Sequence, residues 1–554
     1  MKRTIRLFWV FVLSISLLLP LGVAQGAEKI PNPVPAGVQI MGSKGGGKSY
    51  TPGTWYLGST PPNVDYSKPP IVFVQGKNGV AQSWWEDTVY HGRNDMYDYA
   101  YNNGYRTAFV QLYDAAGNGS HDMWDNGQLL AQLLREISEH FGEKVNVVSH
   151  SKGGIDTQAA LIHYNAWPYV GKVITLGTPH HGSHLANLAY SSWAGWLADL
   201  LGQQDDGTYV LQTGYMEYFR SITDNHSNRS KNMYYTAAGT SWGPFPSALW
   251  TGGAYLAFQG QNDGLVNVWS TQLPYGRHLF TANYDHDNIR MGRTAFPRIE
   301  SELRNIGTTM SQAQQKEAFV TKAVEPNAEG EQIVRGGPLQ ANKMVEETMV
   351  IESGRQEAIF QVLTKNKNVD TVLISPSGKM YTSRSAEYLT AEGHDVFKGA
   401  SVKAFRISRP EAGTWKVRLT SKAKDAYLLM TTLPGAPTIE VDLEKPARGE
   451  VPVHVKMKNP DKWELKNFDV KMKVVPTTPG KDRKMKKEIK EMRLKQIQDK
   501  KSKEFTGKIS GKMNPGVYNV TLEIQGETKD GEPYQRTVIR SFFVPGDKKE
   551  DIGG

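Results

Sequence analysis

Residues 145–154 read Val145-Asn146-Val147-Val148-Ser149-His150-Ser151-Lys152-Gly153-Gly154, an apolar strand that runs into a turn of small residues with Ser151 at its centre. A serine hydroxyl is a weak nucleophile, so chemistry at serine needs a sharp turn that exposes it to a base and to backbone N–H donors. The pattern for such a turn is Gly-x-Ser-x-Gly. Here Ser149 replaces the first glycine, Gly153 keeps the second, and Gly154 follows. The turn requires small side chains where the strand and the departing helix pass close together, and Ser149 is small. The same residues also fit an ordinary serine-glycine turn that closes a buried strand. The rest of the chain decides between the two.

Outward from this turn, strands and helices alternate. Ile71 to Val74, Tyr105 to Leu112 and Lys172 to Leu176 are apolar runs that read as strands. Asn126 to Phe141 carries Leu129, Leu130, Leu133, Leu134 and Ile137 at helical spacing, and a further helix is expected to leave Gly153. This alternation predicts an α/β fold with a mostly parallel sheet and helices on both faces. Reactive residues in such sheets sit at the carboxyl ends of strands, where Ser151 falls.

The 554 residues exceed one core and imply about three domains. Basic residues before Leu7, an apolar run to Val23 and the small residues Ala24 and Gly26 predict a secretory signal peptide over 1–26. The protein is therefore expected to be secreted. Composition shifts near residue 310: ten of thirteen tryptophans lie from Trp55 to Trp269, and only Trp415 and Trp463 follow. The α/β domain is thus expected over 27–310 and a polar linker over 311–344. Beyond it, strands such as Thr371 to Ile374 and Thr414 to Leu419 alternate with turn signals, and Pro434-Gly435-Ala436-Pro437 marks a break. Two β-sandwich modules are expected, over 345–434 and 435–546. A spacer, or a contact with a surface or polymer, is as far as their sequence goes. The absence of cysteine excludes a disulfide framework. Of the net charge of +9, seven arise between Lys481 and Lys503, where eleven Lys and Arg face four Asp and Glu. No nucleic-acid module accompanies this run, which reads as a solvated face. Its apolar residues suit a helix through Met485, Ile489, Met492 and Ile497, or a strand over the last of these.

A serine nucleophile of this kind needs an acid and then a base, on loops after later strands. Tyr255 to Gln259 reads as a late strand and is followed by Gly260-Gln261-Asn262-Asp263-Gly264-Leu265-Val266. Taken alone, this is a common Asp-Gly turn. Leu279 to Tyr284 reads as the next strand and leads into Asp285-His286-Asp287-Asn288. His278 precedes that strand and is expected at the wrong end of the sheet.

Together with Ile71 to Gly79 and Thr175-Leu176-Gly177-Thr178-Pro179-His180-His181-Gly182-Ser183, these stretches resemble bacterial triacylglycerol lipases of the α/β-hydrolase fold, over residues of about 50–305. The resemblance implies that Ser151 is the nucleophile, Asp263 the acid that orients the base, and His286 the base. It also implies an oxyanion hole made by the backbone N–H groups of Lys152 and Lys77. Gln75-Gly76-Lys77 stands where the family has a His-Gly pair, and both lysine side chains are expected in solvent. A lid is expected around 184–225, where Leu185, Leu188, Ala189, Trp193, Trp196, Leu197, Leu200 and Leu201 form one apolar stripe. A core-facing helix would show the same stripe. Some relatives bind calcium through an aspartate upstream of the acid, but no Asp or Glu occurs between Asn225 and Asn262. Adjacent histidines such as His180 and His181 rarely point at one ion. No metal and no cofactor is expected. The implied function is a secreted lipase that hydrolyses acylglycerol esters through an acyl-enzyme, meeting a lipid or other ester substrate at an interface. The alternatives are a short-chain carboxylesterase, a polyester depolymerase, or a non-catalytic surface-adhesion protein with a relic hydrolase domain. Oligomeric state is not legible.

Overall fold

The sheet that carries Ser151 has eight strands: β1 (Val34–Ala36), β2 (Trp55–Leu57), β3 (Ile71–Val74), β4 (Thr107–Val110), β5 (Val145–His150), β6 (Val170–Leu176), β7 (Met233–Gly239) and β8 (Gly276–Ala282). Their spatial order is β1-β2-β4-β3-β5-β6-β7-β8. The β1–β2 and β2–β4 pairs are antiparallel, and the remaining neighbours pair parallel. The computed structural model describes residues 30–36, 50–117, 119–307, 330–393, 397–435, 439–447, 449–478, 490–497 and 504–546. The expected signal peptide and most of the expected linker lie outside these.

β5 is central and wholly buried, so its polar residues must be satisfied internally. Asn146 donates to the carbonyls of Leu303 and Asn305 and accepts from the Lys172 N–H. The helices are α1 (Met96–Asn102), α2 (Met123–Phe141), α3 (Gly153–Gln158), α4 (His184–Ala189), α5 (Gly195–Leu200), α6 (Asp206–Val210), α7 (Thr213–Thr223), α8 (Ala248–Leu256) and α9 (Gly292–Leu303). α2 starts where the Asp122 carboxylate caps the N–H groups of Trp124 and Asp125, and it stops at Gly142, whose φ is +73°. Its buried stripe of Leu130, Leu133, Leu134 and Ile137 packs with Val145 and Val147 of β5.

Three expectations change, and one choice left open is resolved. The segment Tyr255 to Gln259, read as a strand, is the end of α8 followed by a 3-10 turn. The stripe around Leu185 to Leu201 is broken into α4 and α5 rather than one helix. Gly330–Leu339, assigned to the linker, is a strand paired with Asp425–Pro434. Lys490–Arg493 and Lys495–Gln496 are strands, so that part of the basic run is not helical.

The tail forms two β-sandwiches. The first packs a four-stranded sheet on a five-stranded one, and the second packs two four-stranded sheets. Strand Asp425–Pro434 of the five-stranded sheet is apolar on both faces. Tyr427, Leu429 and Leu433 point into the sandwich core, whereas Ala426, Leu428 and Met430 join Leu185, Leu188, Ala194 and Leu197 of the α4–α5 region. The described residues from Asn32 onward form one compact unit. Gly336 of the first sandwich lies so close to the Trp193 carbonyl that a Cβ would come within 2.3 Å of it. Arg335 and Lys473, one from each sandwich, stand over the Trp193 ring. The second sandwich lies on α7: the Ser541 hydroxyl oxygen accepts the Gly214 N–H at 2.9 Å, and Phe543 stacks on Tyr218 at 4.4 Å. No helix among the described residues is long and apolar enough to cross a membrane.

Candidate active site

Ser151 follows β5 with φ +54°, the left-handed region that L residues enter at a cost and that recurs at reactive turns. Two close approaches hold it there. A Cβ on Gly153 would lie 2.2 Å from the Gln75 carbonyl oxygen, and one on Gly76 would lie 2.8 Å from the Ser151 Cβ. The loop after β3 and the turn after β5 therefore touch backbone to backbone. Ser149 is fully buried in β5.

Asp263 sits after α8 in a loop braced by its own side chain. Oδ1 accepts the N–H groups of Leu265 and Val266, and Oδ2 lies 2.8 Å from His286 Nδ1. The backbones meet as well, since the His286 N–H donates to the Asp263 carbonyl at 2.8 Å. Asp263 is wholly buried, and a carboxylate at Nδ1 leaves Nε2 of the neutral ring as the basic nitrogen. His286 and Ser151 line one cavity of about 110 Å³, together with Gln75, Gly76, Lys77 and His150. His278 lies within β8, its ring against Thr236 and Thr281.

Sequence reasoning passed over His150. Its Nε2 lies 2.8 Å from the His286 carbonyl oxygen, which can only accept, so Nε2 carries the proton. The two rings pack at 4.7 Å. Burial, with the nearby His286 and Arg290, holds His150 well below the ordinary histidine range, so it is neutral. Its place next to Ser151 is the only signal the sequence offered.

The two lysine side chains expected in solvent are buried. Lys152 is 1% exposed, with Nζ 3.3 Å from Asp114 and 3.0 Å from Asp156. Burial opposes its charge, yet the two carboxylates outweigh it and raise the amine above its ordinary value. Lys77 reaches Asp205, the N-cap of α6, at 3.4 Å. Gln75, in the family's histidine position, bridges the Val110 carbonyl and the Leu112 N–H at 2.8 Å each. It fastens the end of β3 to the loop after β4.

A second cavity of about 220 Å³ adjoins His286 and is lined by the apolar side chains of Val89, Ala248, Leu249 and Leu265 with Tyr90. Lys398 of the first sandwich also lines it. Asp287 is engaged by the Tyr90 N–H and by Arg290. His180 faces Thr175 and Gln158, whereas His181 faces the Gln272 carbonyl.

The chain is similar to the Bacillus licheniformis lipase BlEst2 in its propeptide form, with 36% identity over 90% of this chain and 99% of that one, at a TM-score of 0.72. It is also similar to the mature form of the same lipase, with 52% identity over 46% of this chain and 99% of that one, at a TM-score of 0.42. No protein-family model matches the chain, and no curated relative matches it.

Proposed function

Because the chain belongs to the bacterial lipases of α/β-hydrolase type and is a carboxylic-ester hydrolase, we propose that it is a secreted acylglycerol lipase acting through Ser151, His286 and Asp263. The observation that carries this reading is the 2.8 Å Asp263–His286 pair, whose His286 lines one cavity with Ser151. His286 takes the Ser151 proton as the hydroxyl attacks the ester carbonyl, and Asp263 stabilises the imidazolium that forms. The backbone N–H groups of Lys77 and Lys152 receive the charge on the carbonyl oxygen. His286 then protonates the departing alcohol, and a water activated by the same ring hydrolyses the acyl-enzyme. The apolar cavity lined by Leu249 and Leu265 takes the acyl chain.

The two sandwiches act on this reading as a propeptide rather than as an adsorption module. Two BlEst2 forms are named propeptide and mature, and the second covers less than half of this chain. In support, the five-stranded sheet covers α4 and α5, the expected lid, and Lys398 stands at the acyl cavity. A small ester needs only the cavity beside Ser151, whereas a long acyl chain needs the covered surface. The full chain is therefore expected to hydrolyse p-nitrophenyl acetate and to label with a small fluorophosphonate, while turning over long-chain esters poorly. Ser151→Ala should abolish both acetate hydrolysis and labelling. Labelling that survives Ser151→Ala would sink the assignment of the nucleophile. Equal rates on acetate and long-chain esters would sink the role of the tail.

A further inference from the structure

An oxyanion hole works only when its donors are already fixed around the point where charge develops. Lys77 and Lys152 belong to different segments, one after β3 and one after β5, so something must set their separation. We propose that Asp114 is the positioning residue that holds both donor segments in register. This rests on the assignment of the two N–H donors made above.

Asp114 lies in the 3-10 turn Tyr113–Ala116 after β4 and is 3% exposed. Its Oδ1 accepts the N–H of Asn78 at 3.1 Å, one residue beyond Lys77. Asn78 has φ +54°, a conformation that an L residue keeps only when its surroundings hold it there. Oδ2 lies 3.3 Å from Lys152 Nζ. One rigid carboxylate thus reaches the residue after one donor and the side chain of the other. The Ser120 hydroxyl donates to Oδ1, and Asn126 Nδ2 donates to Oδ2 at 2.5 Å. With four donors around it, the carboxylate has no free direction in which to turn. The Asp205 carboxylate adds a second tie, since its Oδ2 accepts the Ser120 N–H at 3.0 Å and pairs with Lys77 Nζ. Burial alone would push Asp114 up, but Lys152 and the surrounding donors hold it below the ordinary aspartate range, so it stays an acceptor for all four. Asp114 is not among the residues that line the Ser151 cavity. It acts through the backbone of its neighbours.

Asp114→Asn keeps the shape but turns one acceptor oxygen into an NH2 facing Lys152 and Asn126. In the full chain acting on p-nitrophenyl acetate, kcat per fluorophosphonate-titrated site should fall about 30-fold with KM little changed. The affinity of a small trifluoromethyl ketone, whose adduct with serine carries the tetrahedral oxyanion, should fall by the same factor. Binding of an unreactive amide of the same size should not change. Lys152→Met releases only one of the two segments, and should lower kcat and ketone affinity together by a smaller factor. This variant keeps the test open should Asp114→Asn fail to fold. Fewer titratable sites with unchanged kcat per site and unchanged ketone affinity would mean a merely structural role and overturn the proposal. A wild-type chain that neither labels nor binds the ketone would overturn the nucleophile reading instead, which separates the two failures.

Discussion

Behind Ser151, one buried amine is shared by two carboxylates, and the two respond in opposite directions. Asp114 is held down, whereas burial, with Asp114 close by, pushes Asp156 up to about 7 even though Lys152 pulls the other way. Between the ordinary aspartate value near 3.9 and about 7, Asp156 is protonated in the folded chain and ionised in the unfolded one. Its contribution to stability is thus complete at low pH and declines as pH rises through that window. Asp156→Asn removes this titration and leaves that of Asp114 in place. The melting temperature of the wild type minus that of the variant should therefore be larger at pH 5 than at pH 8, as measured by calorimetry. A difference that does not change with pH would show that Asp156 does not titrate there. Lys152 was legible as a residue of the turn but not as a buried one, because the aspartates that neutralise it come from distant or following segments.

Local pattern was a good guide to the elements where period and punctuation agree. β5 with its turn, and the body of α2 from Asn126 to Phe141, could be read directly, whereas the start of α2 at Met123 after the Asp122 cap was not. The run Tyr255 to Gln259 misled because a short apolar stretch fits helix and strand alike. The better clue was Ser247, whose hydroxyl caps the Trp250 N–H at the start of α8. Gly330–Leu339 misled for a different reason: Gly336, Gly337 and Pro338 look like linker composition, yet Gly336 is there because the Trp193 backbone passes against it. The sequence Ala426-Tyr427-Leu428-Leu429-Met430 has no polar alternation, the mark of a sheet buried on both sides. That was the available sign that the tail covers something. Leu428→Asp puts a carboxylate into the seam over α4 and α5 without altering the sandwich core, and desolvating it there costs several kcal/mol. Long-chain ester turnover by the uncut chain should rise at least about tenfold, because each 1.4 kcal/mol of weakened docking is tenfold in the equilibrium, while acetate turnover stays constant. A long-chain rate that does not rise would argue against the covering role.

In the whole molecule the two sandwiches are joined by a buried ionic knot. Arg536 of the second lies 2.7 Å from Glu331 and 2.6 Å from Glu352 of the first, and Arg355 also pairs with both glutamates. Removing one member of such a group strands the others away from water. Arg536→Met should lower stability by about 3 kcal/mol, the low end for broken buried pairs because Arg355 remains. Denaturant unfolding would then show two steps, with the second sandwich leaving first; a single unshifted transition would mean that the sandwiches are held together elsewhere. The two-faced strand Asp425–Pro434 has a consequence for timing. Severing the backbone between hydrolase and tail leaves the apolar seam in place, so the two pieces remain a complex whose lifetime is set by dissociation. Activity should begin with a lag after cleavage that dilution leaves unchanged, because dissociation is first order, and the final level of activity should rise on dilution, which makes the volume around the cut protein part of its control.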